Sequence, residues 1–424
     1  MKIINSSKEN VFDFLDLQRE KIFENNKNVE NVVGEILENV RKYKDKALKE
    51  YSLKFDGTGE IAEYTGKDFQ KAFSSLDEEF KDVLIKASER ISAFHNEQIQ
   101  KGIRVIKEGS ELGQIIRPLK RVGLYVPGGT ASYPSSVLMN AIPAKIAGVK
   151  EIVIITPPSK KGVNMDILAA AYISGVDSLY TVGGAQGIAA LAYGTETIRK
   201  VDKIVGPGNI YVATAKKMVY GTCDIDMIAG PSEITIIADS NANERFIAAD
   251  LISQAEHDKL ASAILVTDSE SVAKRTAEEL KNQLSCLDRE EIIRNALDEY
   301  GVIIITRDIK ESIEIANYIS PEHLEIMTDN PEECLGKINN AGSIFLGEYT
   351  PEPIGDYIAG SNHVLPTGGS ARFFSPLSVE SFTKKMQYIS YCKSKFIEDS
   401  KSVIIFAERE GLNGHANSIS IRLE

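Results

Sequence analysis

The segment Arg121-Val-Gly-Leu-Tyr-Val126, followed by Pro127-Gly-Gly-Thr130, decides the fold class. A short apolar run leads into a glycine turn, and an apolar helical pattern then runs from Ser135 to about Ala147. Strands that alternate with helices through short glycine turns are typical of a parallel α/β sheet. The same order recurs to the C-terminal side, so we expect an α/β protein.

Two blocks of this kind are predicted, with a boundary near Gly230. The first has the strands 121–126, 151–156, 179–182 and 203–205 and the helices 135–147, 165–174, 184–193 and one that ends near 220. The second has the strands 234–238, 263–267, 302–306, 324–327 and 343–346 and helices near 243–257, 270–285, 289–299, 309–319 and 331–340.

The sequence pattern is weaker towards the two ends of the chain. Charged helical spacing covers 28–55, and an apolar face with 3.6-residue spacing covers 77–100, which makes His95 beside it a structural residue. We expect two incomplete Rossmann-like parallel-sheet domains with small N- and C-terminal extensions. The predicted boundaries are an arm at 1–26, a domain of 27–101 plus 231–376, a domain of 102–230, and an extension at 377–424 with a helix or strand near 395–408.

Composition excludes several classes of protein. The chain of 424 residues is 43% hydrophobic and carries a net charge of −12, without a basic stripe, which argues against a nucleic-acid partner. No apolar run is long enough for a membrane span, and the N-terminus lacks an apolar signal core. The 4 cysteines lack a CxxC spacing and indicate reduced thiols in the cytoplasm. Cys223, with no histidine near it in sequence, is a poor candidate for a catalytic thiol.

Three glycine turns follow predicted strands, at 127–129, 183–187 and 206–209. A strand, a glycine turn and a helix together offer backbone amides and a helix N-terminus to a phosphate. None of the three has the GxGxxG spacing, and α/β loops are rich in glycine in any case. The residues alone therefore leave dinucleotide binding open.

The helix that ends in Leu251-Ile-Ser-Gln254-Ala-Glu-His257-Asp258 is a candidate for a metal site. Gln254 and His257 are three residues apart and share a face, although for this pair alone a polar helix end with a surface histidine is the better explanation. With Asp356 and His415, which lie in glycine-rich contexts, they make a nitrogen and oxygen donor set without sulfur. Zinc fits such a set, and manganese or cobalt can substitute.

Glu322 and His323 follow Ser320-Pro321 and open a predicted strand. A carboxylate beside an imidazole is suited to general acid/base catalysis. Because adjacent strand positions face opposite ways, the pair shares a site only if the backbone is irregular there. Pro321 can provide that irregularity.

Motifs from about residue 100 to the end resemble the histidinol dehydrogenase family. The matching segments are Gly123–Thr130, Tyr133–Lys145, Gly183–Leu191, Lys203–Val212, Gly230–Glu233, Gln254–Asp258, Ser320–Glu325, Gly355–Asp356 through to Pro366–Thr367, and Gly414–His415. They occur in the order that the family has, and as a set they are specific.

The resemblance implies the last step of histidine biosynthesis, a four-electron oxidation of L-histidinol to L-histidine through L-histidinal with two NAD. It implies one zinc per subunit on Gln254, His257, Asp356 and His415, and an acid/base pair of Glu322 and His323. Substrate contacts then fall on those six residues together with Ser232, His363 and Glu410. NAD contacts fall on Tyr125, Gln186 and Asn209, in the 102–230 domain, and the family binds NAD without the usual fingerprint.

The resemblance also implies a homodimer whose C-terminal tail, with Glu410 and His415, reaches the partner's site, although the sequence does not separate this from a tail that acts in its own chain. Three alternatives are weighed against this function. A zinc and NAD dehydrogenase for another small alcohol is disfavoured by the intact set Ser232, His363 and Glu410. A metallohydrolase leaves the NAD positions unexplained, and a non-catalytic binding protein needs no acid/base pair.

Overall fold

The computed structural model describes residues 1–24, 27–128, 133–159, 162–285, 287 and 289–424. Its elements in chain order are β1 (Lys2–Asn5), α1 (Val11–Glu24), α2 (Lys27–Asp56), β2 (Glu63–Thr65), α3 (Gly66–Ser75), α4 (Glu78–Asn96), β3 (Ile103–Lys107), β4 (Ser110–Pro118), β5 (Arg121–Tyr125), α5 (Pro134–Ala147), β6 (Glu151–Thr156), α6 (Met165–Ser174), β7 (Ser178–Thr181), α7 (Gly184–Tyr193), β8 (Lys203–Val205), α8 (Ile210–Val219), β9 (Asp224–Ile225), β10 (Glu233–Ala238), α9 (Glu244–Ala255), β11 (Ser262–Thr267), α10 (Glu270–Leu284), α11 (Glu290–Glu299), β12 (Val302–Ile305), α12 (Ile309–Ile319), β13 (His323–Met327), α13 (Pro331–Leu335), β14 (Ser343–Leu346), α14 (Glu352–Ile354), β15 (Thr383–Tyr391), α15 (Lys393–Arg409) and α16 (Asn413–Ser420). Two sequence predictions lie outside the described residues in part, because Gly129 and Thr130 of the first glycine turn and the cysteine Cys286 are not among them.

The chain divides into two compact units. The first comprises residues 1–98 and 119–382, and the second comprises 99–118 and 383–424. The first unit contains both predicted parallel sheets, which confirms the predicted α/β class.

One sheet of the first unit has the strand order β2-β7-β6-β5-β8-β9. Its strands are parallel apart from β2, which pairs antiparallel with β7. The order reverses at β5, since β6 and β7 lie on one side of it and β8 and β9 on the other. In open α/β sheets ligands bind in the crevice at such a reversal, beyond the carboxyl ends of the strands. We call this sheet the β5 sheet.

The other sheet of the first unit has the order β1-β12-β11-β10-β13-β14, and its paired strands all run parallel. It repeats the same plan, with the order reversed at β10. Its central strands are runs of Ile, Val and Leu that are buried along their length, as strands covered on both faces require. We call it the β10 sheet.

The N-terminal residues pack differently from their predicted grouping. The predicted arm at 1–26 includes β1, which pairs with β12 from Lys2↔Val302 to Asn5↔Ile305 at an edge of the β10 sheet. Its Ile4 is buried in that sheet's core. Residues 27–101 were grouped with the β10 sheet, but α2 packs on α7 and α8, α3 on α6, and α4 on α5, all around the β5 sheet. The sequence of an amphipathic helix shows which face is buried, but it does not show which part of the protein that face packs against.

The second unit is a three-stranded antiparallel sheet, β15-β4-β3, with α15 and α16 packed on each other. Residues 102–118 were assigned to the NAD-binding domain, whereas here β4 pairs along its length with β15, from Thr383↔Pro118 to Tyr391↔Ser110. Gly113 allows this pairing, because a Cβ there would lie 2.1 Å from the ring of Tyr388. The element predicted near 395–408 is the helix α15.

Candidate active site

The acid/base candidates lie where α12 turns into β13. Helix α12 ends at Ser320, whose backbone is left-handed with φ 54°, and Pro321 follows. The Ser320 hydroxyl donates to the Asn317 carbonyl at 2.8 Å and closes the turn. This irregular backbone brings the side chains of Glu322 and His323 to one side, with Glu322 Oε2 3.8 Å from His323 Nδ1. Both residues are buried.

The hydrogen bonds of His323 define its tautomer. Nδ1 lies 2.9 Å from Gln254 Oε1 and 3.2 Å from the Glu233 carbonyl, and both of these atoms are acceptors. Nδ1 therefore carries the hydrogen and Nε2 presents a lone pair. Among the described atoms Nε2 is buried without a hydrogen-bond partner. Burial lowers the pKa of His323 to about 4, so the ring is a neutral base at neutral pH.

Glu322 is bound on one side by the backbone of the β10 sheet. Its Oε2 accepts from the Glu233 amide at 3.0 Å. Burial, and after it the nearby carboxylates of Glu233, Asp356 and Glu352, raise the pKa of Glu322 well above its usual range. A carboxylate with a raised pKa is a stronger proton acceptor, as a general base requires.

Further donors come from the residues after β14. His323, Glu352 and Asp356 each offer an atom within 4.8 Å of the others. Glu352 is held by its amide, which donates to Glu325 Oε1 at 2.8 Å, and its Oε1 lies 3.9 Å from His323 Nε2. Burial raises the pKa of Glu352 to about 9. Sequence reasoning missed Glu352, although a carboxylate between Pro351 and Pro353 beside a glycine-rich loop is a recognisable signal.

His363 joins this group to the β5 sheet. Its Nδ1 donates to the Asp356 carbonyl at 3.1 Å and lies 3.8 Å from Asp356 Oδ1. Its Nε2 lies 3.3 Å from the hydroxyl of Ser136, in the first turn of α5, the helix that follows β5. The group of His323, Glu352 and Asp356 therefore lies close to the start of β13 and, through His363, close to the start of α5.

Three of the four predicted metal ligands belong to this region. Gln254 is buried at the end of α9 and is hydrogen-bonded to His323. Asp356 belongs to the group that it forms with His323 and Glu352. His257 is exposed just beyond α9, and its charge is a secondary influence, after burial, that lowers the pKa of both His323 and His363. The donors are imidazole nitrogen and carboxylate or amide oxygen, which fit zinc.

The other predicted site residues lie elsewhere along the chain. Ser232 is partly buried and precedes β10, whose first residue bonds Glu322. Glu410 follows α15 and His415 lies in α16, so both belong to the second unit, and both are exposed. His95 is buried, with Nδ1 2.8 Å from the Ile91 carbonyl and Nε2 3.3 Å from Asn362 Nδ2, as a structural histidine would be.

The predicted NAD residues all follow strands of the β5 sheet. The Tyr125 hydroxyl, at the end of β5, accepts from the Gly184 amide at 3.2 Å. Gln186, in the first turn of α7, donates to Asp56 Oδ2 at 3.3 Å. Asn209 precedes α8 and its Oδ1 accepts from the amides of Tyr211 and Val212, each at 3.1 Å. Tyr125 and Gln186 are buried and Asn209 is exposed.

Comparisons with known proteins show the family to which this chain belongs. A family model described as histidinol dehydrogenase matches residues 19–423. The chain belongs to the histidinol dehydrogenase family. Histidinol dehydrogenase from Listeria innocua is 53% identical over 100% of this chain and 99% of its own length. The enzyme of that name from Clostridium acetobutylicum is 54% identical over 96% and 95%. A crystal structure of histidinol dehydrogenase from Elizabethkingia anophelis matches with a TM-score of 0.88 and 39% identity over 93% of this chain and 92% of that one.

Membership confirms the predicted family, and with it an oxidoreductase of histidine biosynthesis that uses NAD and zinc. The residues that serve each role are a separate question, because family membership does not assign them. In the part of the chain that the structure describes, no helix is long and apolar enough to cross a membrane.

Proposed function

We propose that L-histidinol is oxidised through L-histidinal to L-histidine, with two NAD, at a site formed where the strands β10 and β13 begin. The observation that carries this proposal is His323: a buried neutral imidazole whose Nδ1–H is bound by Gln254 and the Glu233 carbonyl. Its unpartnered Nε2 then faces the carboxylates of Glu352 and Asp356. A base whose lone pair is oriented in this way is what alcohol oxidation needs.

The metal ligands we propose are Gln254, His257, Asp356 and His415. Zinc bound there would act as a template and Lewis acid that orients the substrate. Glu352 lies beside Asp356 and supplies a further carboxylate to the group. Ser232, His363 and Glu410 are the proposed additional contacts of the substrate, and the metal and acid/base residues also border it.

The geometry supports the following proton steps. His323 Nε2 would accept the hydroxyl proton of histidinol as the carbinol carbon loses its hydride to the first NAD, which gives the aldehyde. Glu322 would then take a proton from water, whose hydroxide adds to the aldehyde carbon, and the aldehyde oxygen would take back the proton held by His323. The hydrate would lose its second hydride to the second NAD and a hydroxyl proton to His323, and the carboxylic acid formed would release its proton to give the carboxylate. The buried position of Glu322 and His323 excludes bulk water and limits escape of the aldehyde.

The NAD site we propose is the reversal point of the β5 sheet. Tyr125 and Asn209 follow the two strands that flank the reversal, β5 and β8, and Gln186 follows β7. The contact between Ser136 and His363 supports a path from this edge to the acidic group. A nicotinamide ring at this edge would therefore be near the substrate carbon.

The assembly we propose is a homodimer in the cytoplasm, with Glu410 and His415 of one chain serving the partner's site. Both residues are exposed in this chain. The second unit also exposes large apolar side chains, among them Ile389 at 72% and Phe406 at 71%. Large apolar side chains that are exposed in one chain can be covered by a partner in an assembly. The described cysteines Cys223, Cys334 and Cys392 are free, which suits a reducing compartment.

The test is the amount of NADH formed per L-histidinol consumed, before and after a chelator and after zinc is added back. Two NADH per substrate, lost with the chelator and restored by zinc, supports the proposal. One NADH means that the aldehyde leaves and that the role given to Glu322 is wrong. No NADH from folded protein rejects histidinol as substrate, and other small alcohols are then assayed in the same way.

A further inference from the structure

Lys216 and Asp226 form a buried ion pair in the β5 sheet that no step above uses. Lys216 Nζ lies 2.5 Å from Asp226 Oδ1, and the side chains are 2% and 1% exposed. Lys216 lies in α8 and Asp226 directly follows β9. Neither side chain reaches solvent, so neither can contact a substrate directly.

Both charged groups bind the backbone of Gly206, the first residue of the third glycine turn. The Lys216 ammonium donates to the Gly206 carbonyl at 2.8 Å. Asp226 Oδ2 accepts from the Gly206 amide at 2.8 Å, and its Oδ1 accepts from the Met227 amide at 2.6 Å. Gly206 is thus held at its amide and at its carbonyl by two oppositely charged side chains that also bind each other.

Gly206 lies against the backbone of the proposed NAD residue Tyr125. It has φ +107°, and a Cβ there would lie 2.3 Å from the Tyr125 carbonyl oxygen, so only glycine fits. The turn runs on to Asn209, which caps α8, and Lys216 reaches back from α8 to the start of the turn. The pair therefore fixes the turn at both of its ends, through α8 and through Gly206.

Stability alone is a weak reason to bury this pair. Desolvation of two charges offsets much of their attraction, and an apolar pair of similar size often stabilises a fold as well or better. An apolar pair would leave the Gly206 amide and carbonyl without these charged partners. What the charges add is a fixed position for the backbone between β8 and α8.

We propose that Lys216 and Asp226 are positioning residues for NAD: they hold the turn 206–209 against Tyr125 in the shape that receives the cofactor. The inference rests on the NAD site proposed above. A displaced turn would weaken NAD binding and leave the site at the start of β13 intact.

The test compares two double variants of the same chemistry. Lys216→Met with Asp226→Asn removes both charges of the pair. Lys203→Met with Asp224→Asn does the same to a Lys–Asp pair of the same sheet, 3.0 Å apart, at the starts of β8 and β9, the opposite ends of these strands. For each we would measure the Kd for NAD by calorimetry, the KM for NAD and for L-histidinol, and the melting temperature.

The first double variant should weaken NAD binding by about tenfold or more, since a small displacement of a binding group is costly. Its KM for L-histidinol should change by no more than about twofold, because the proposed contacts of L-histidinol do not involve the turn 206–209. The control pair should lower the melting temperature and leave the Kd for NAD unchanged. If the first variant does not fold, Asp226→Asn alone, which keeps an acceptor for Gly206, carries the same test.

An unchanged Kd for NAD in a folded first variant, or an equal rise in both KM values, would overturn the positioning role. Failure of the proposed function looks different, because the unmodified protein would then bind no NAD or would oxidise no L-histidinol. A weakening of NAD binding by the control pair, whose Asp224 side chain is 50% exposed, as large as that by the Lys216 pair would also count against the proposal, since the loss of any Lys–Asp pair in this sheet would then suffice.

Discussion

At the scale of single residues, the geometry divides the labour between Glu322 and His323. His323→Asn removes the only proposed base for the alcohol, so oxidation of L-histidinol should fall by about 100-fold or more, the range of general base catalysis. Glu322→Gln should mainly slow the oxidation of L-histidinal. The measurement is NADH formation from each substrate separately in both variants. Equal loss of both half-reactions in each variant would refute the division.

Glu233 gives a residue-scale prediction about pH. Its carboxylate accepts from the amides of Gly368 at 2.9 Å and Gly369 at 3.5 Å, and burial raises its pKa from 4.5 to about 7. The folded state therefore keeps the proton at pH values where the unfolded state has lost it. The resulting stabilisation is complete below pH 4.5 and is lost as pH rises through 7, with a total change of about 3 kcal/mol at most.

Glu233→Gln removes that titration. The free energy of unfolding of the variant should rise relative to the unmodified protein between about pH 4.5 and pH 8, measured by urea unfolding with a chelator present. Glu314→Gln, at an exposed position of α12, is the control substitution. Parallel curves for Glu233→Gln would mean that its carboxyl does not titrate in this interval.

At the scale of elements, Asn209 combines two roles that substitutions can separate. Its oxygen caps α8, so Asn209→Ala should destabilise the fold by about 1 kcal/mol and also weaken NAD binding. Asn209→Asp keeps the cap but brings a negative charge close to the proposed cofactor phosphates. We expect an unchanged melting temperature and a higher KM for NAD in that variant.

The matched control is Asn164→Ala. Asn164 caps α6 of the same sheet, with its side chain accepting from the Asp166 amide, and has no proposed contact with NAD. It should cost about the same stability as Asn209→Ala and leave the KM for NAD unchanged. A rise of the KM with both caps would show that loss of helix stability, rather than a cofactor contact, is responsible.

Periodicity predicts most strands and helices of the two parallel sheets closely and fails for the antiparallel sheet of the second unit. β6, β8 and β14 begin and end where the sequence predicts, because a continuous apolar run bounded by turns is compatible with few other structures. β3 is exposed along its whole length, and β15 is exposed or partly exposed, so neither carries a buried-strand pattern. The pairing of β15 with β4 depends on a long-range register that local sequence does not contain, whereas β3 pairs with β4 as a hairpin across residues 108 and 109.

At the scale of the whole molecule, the site shows what sequence can and cannot give. Gln254 and His257 share a helix end, so their spacing alone suggests a shared face. The contact between Gln254 and His323 joins residues 69 positions apart and follows only from the order of strands. The rule for parallel sheets also misses it, since Glu233 and His323 begin their strands, whereas ligands are expected at the carboxyl ends. Local residue patterns suggest the donor set and the acid/base pair, and the family resemblance implies the role of each residue.

The last prediction concerns the assembly and uses two inactive chains. His257→Ala and His415→Ala each remove one proposed zinc ligand, so each homodimer should be inactive. In a mixed dimer one site has both lesions, and the other combines an intact His257 with the partner's intact His415. Each mixed dimer has one good site of two, so mixed dimers isolated by both tags should have about half of full activity if the tail is exchanged. The measurement is NADH formation after the two chains are co-expressed and purified by two different tags. Recovery near that level supports a shared site, and no recovery from verified mixed dimers means that His415 serves its own chain or binds no zinc.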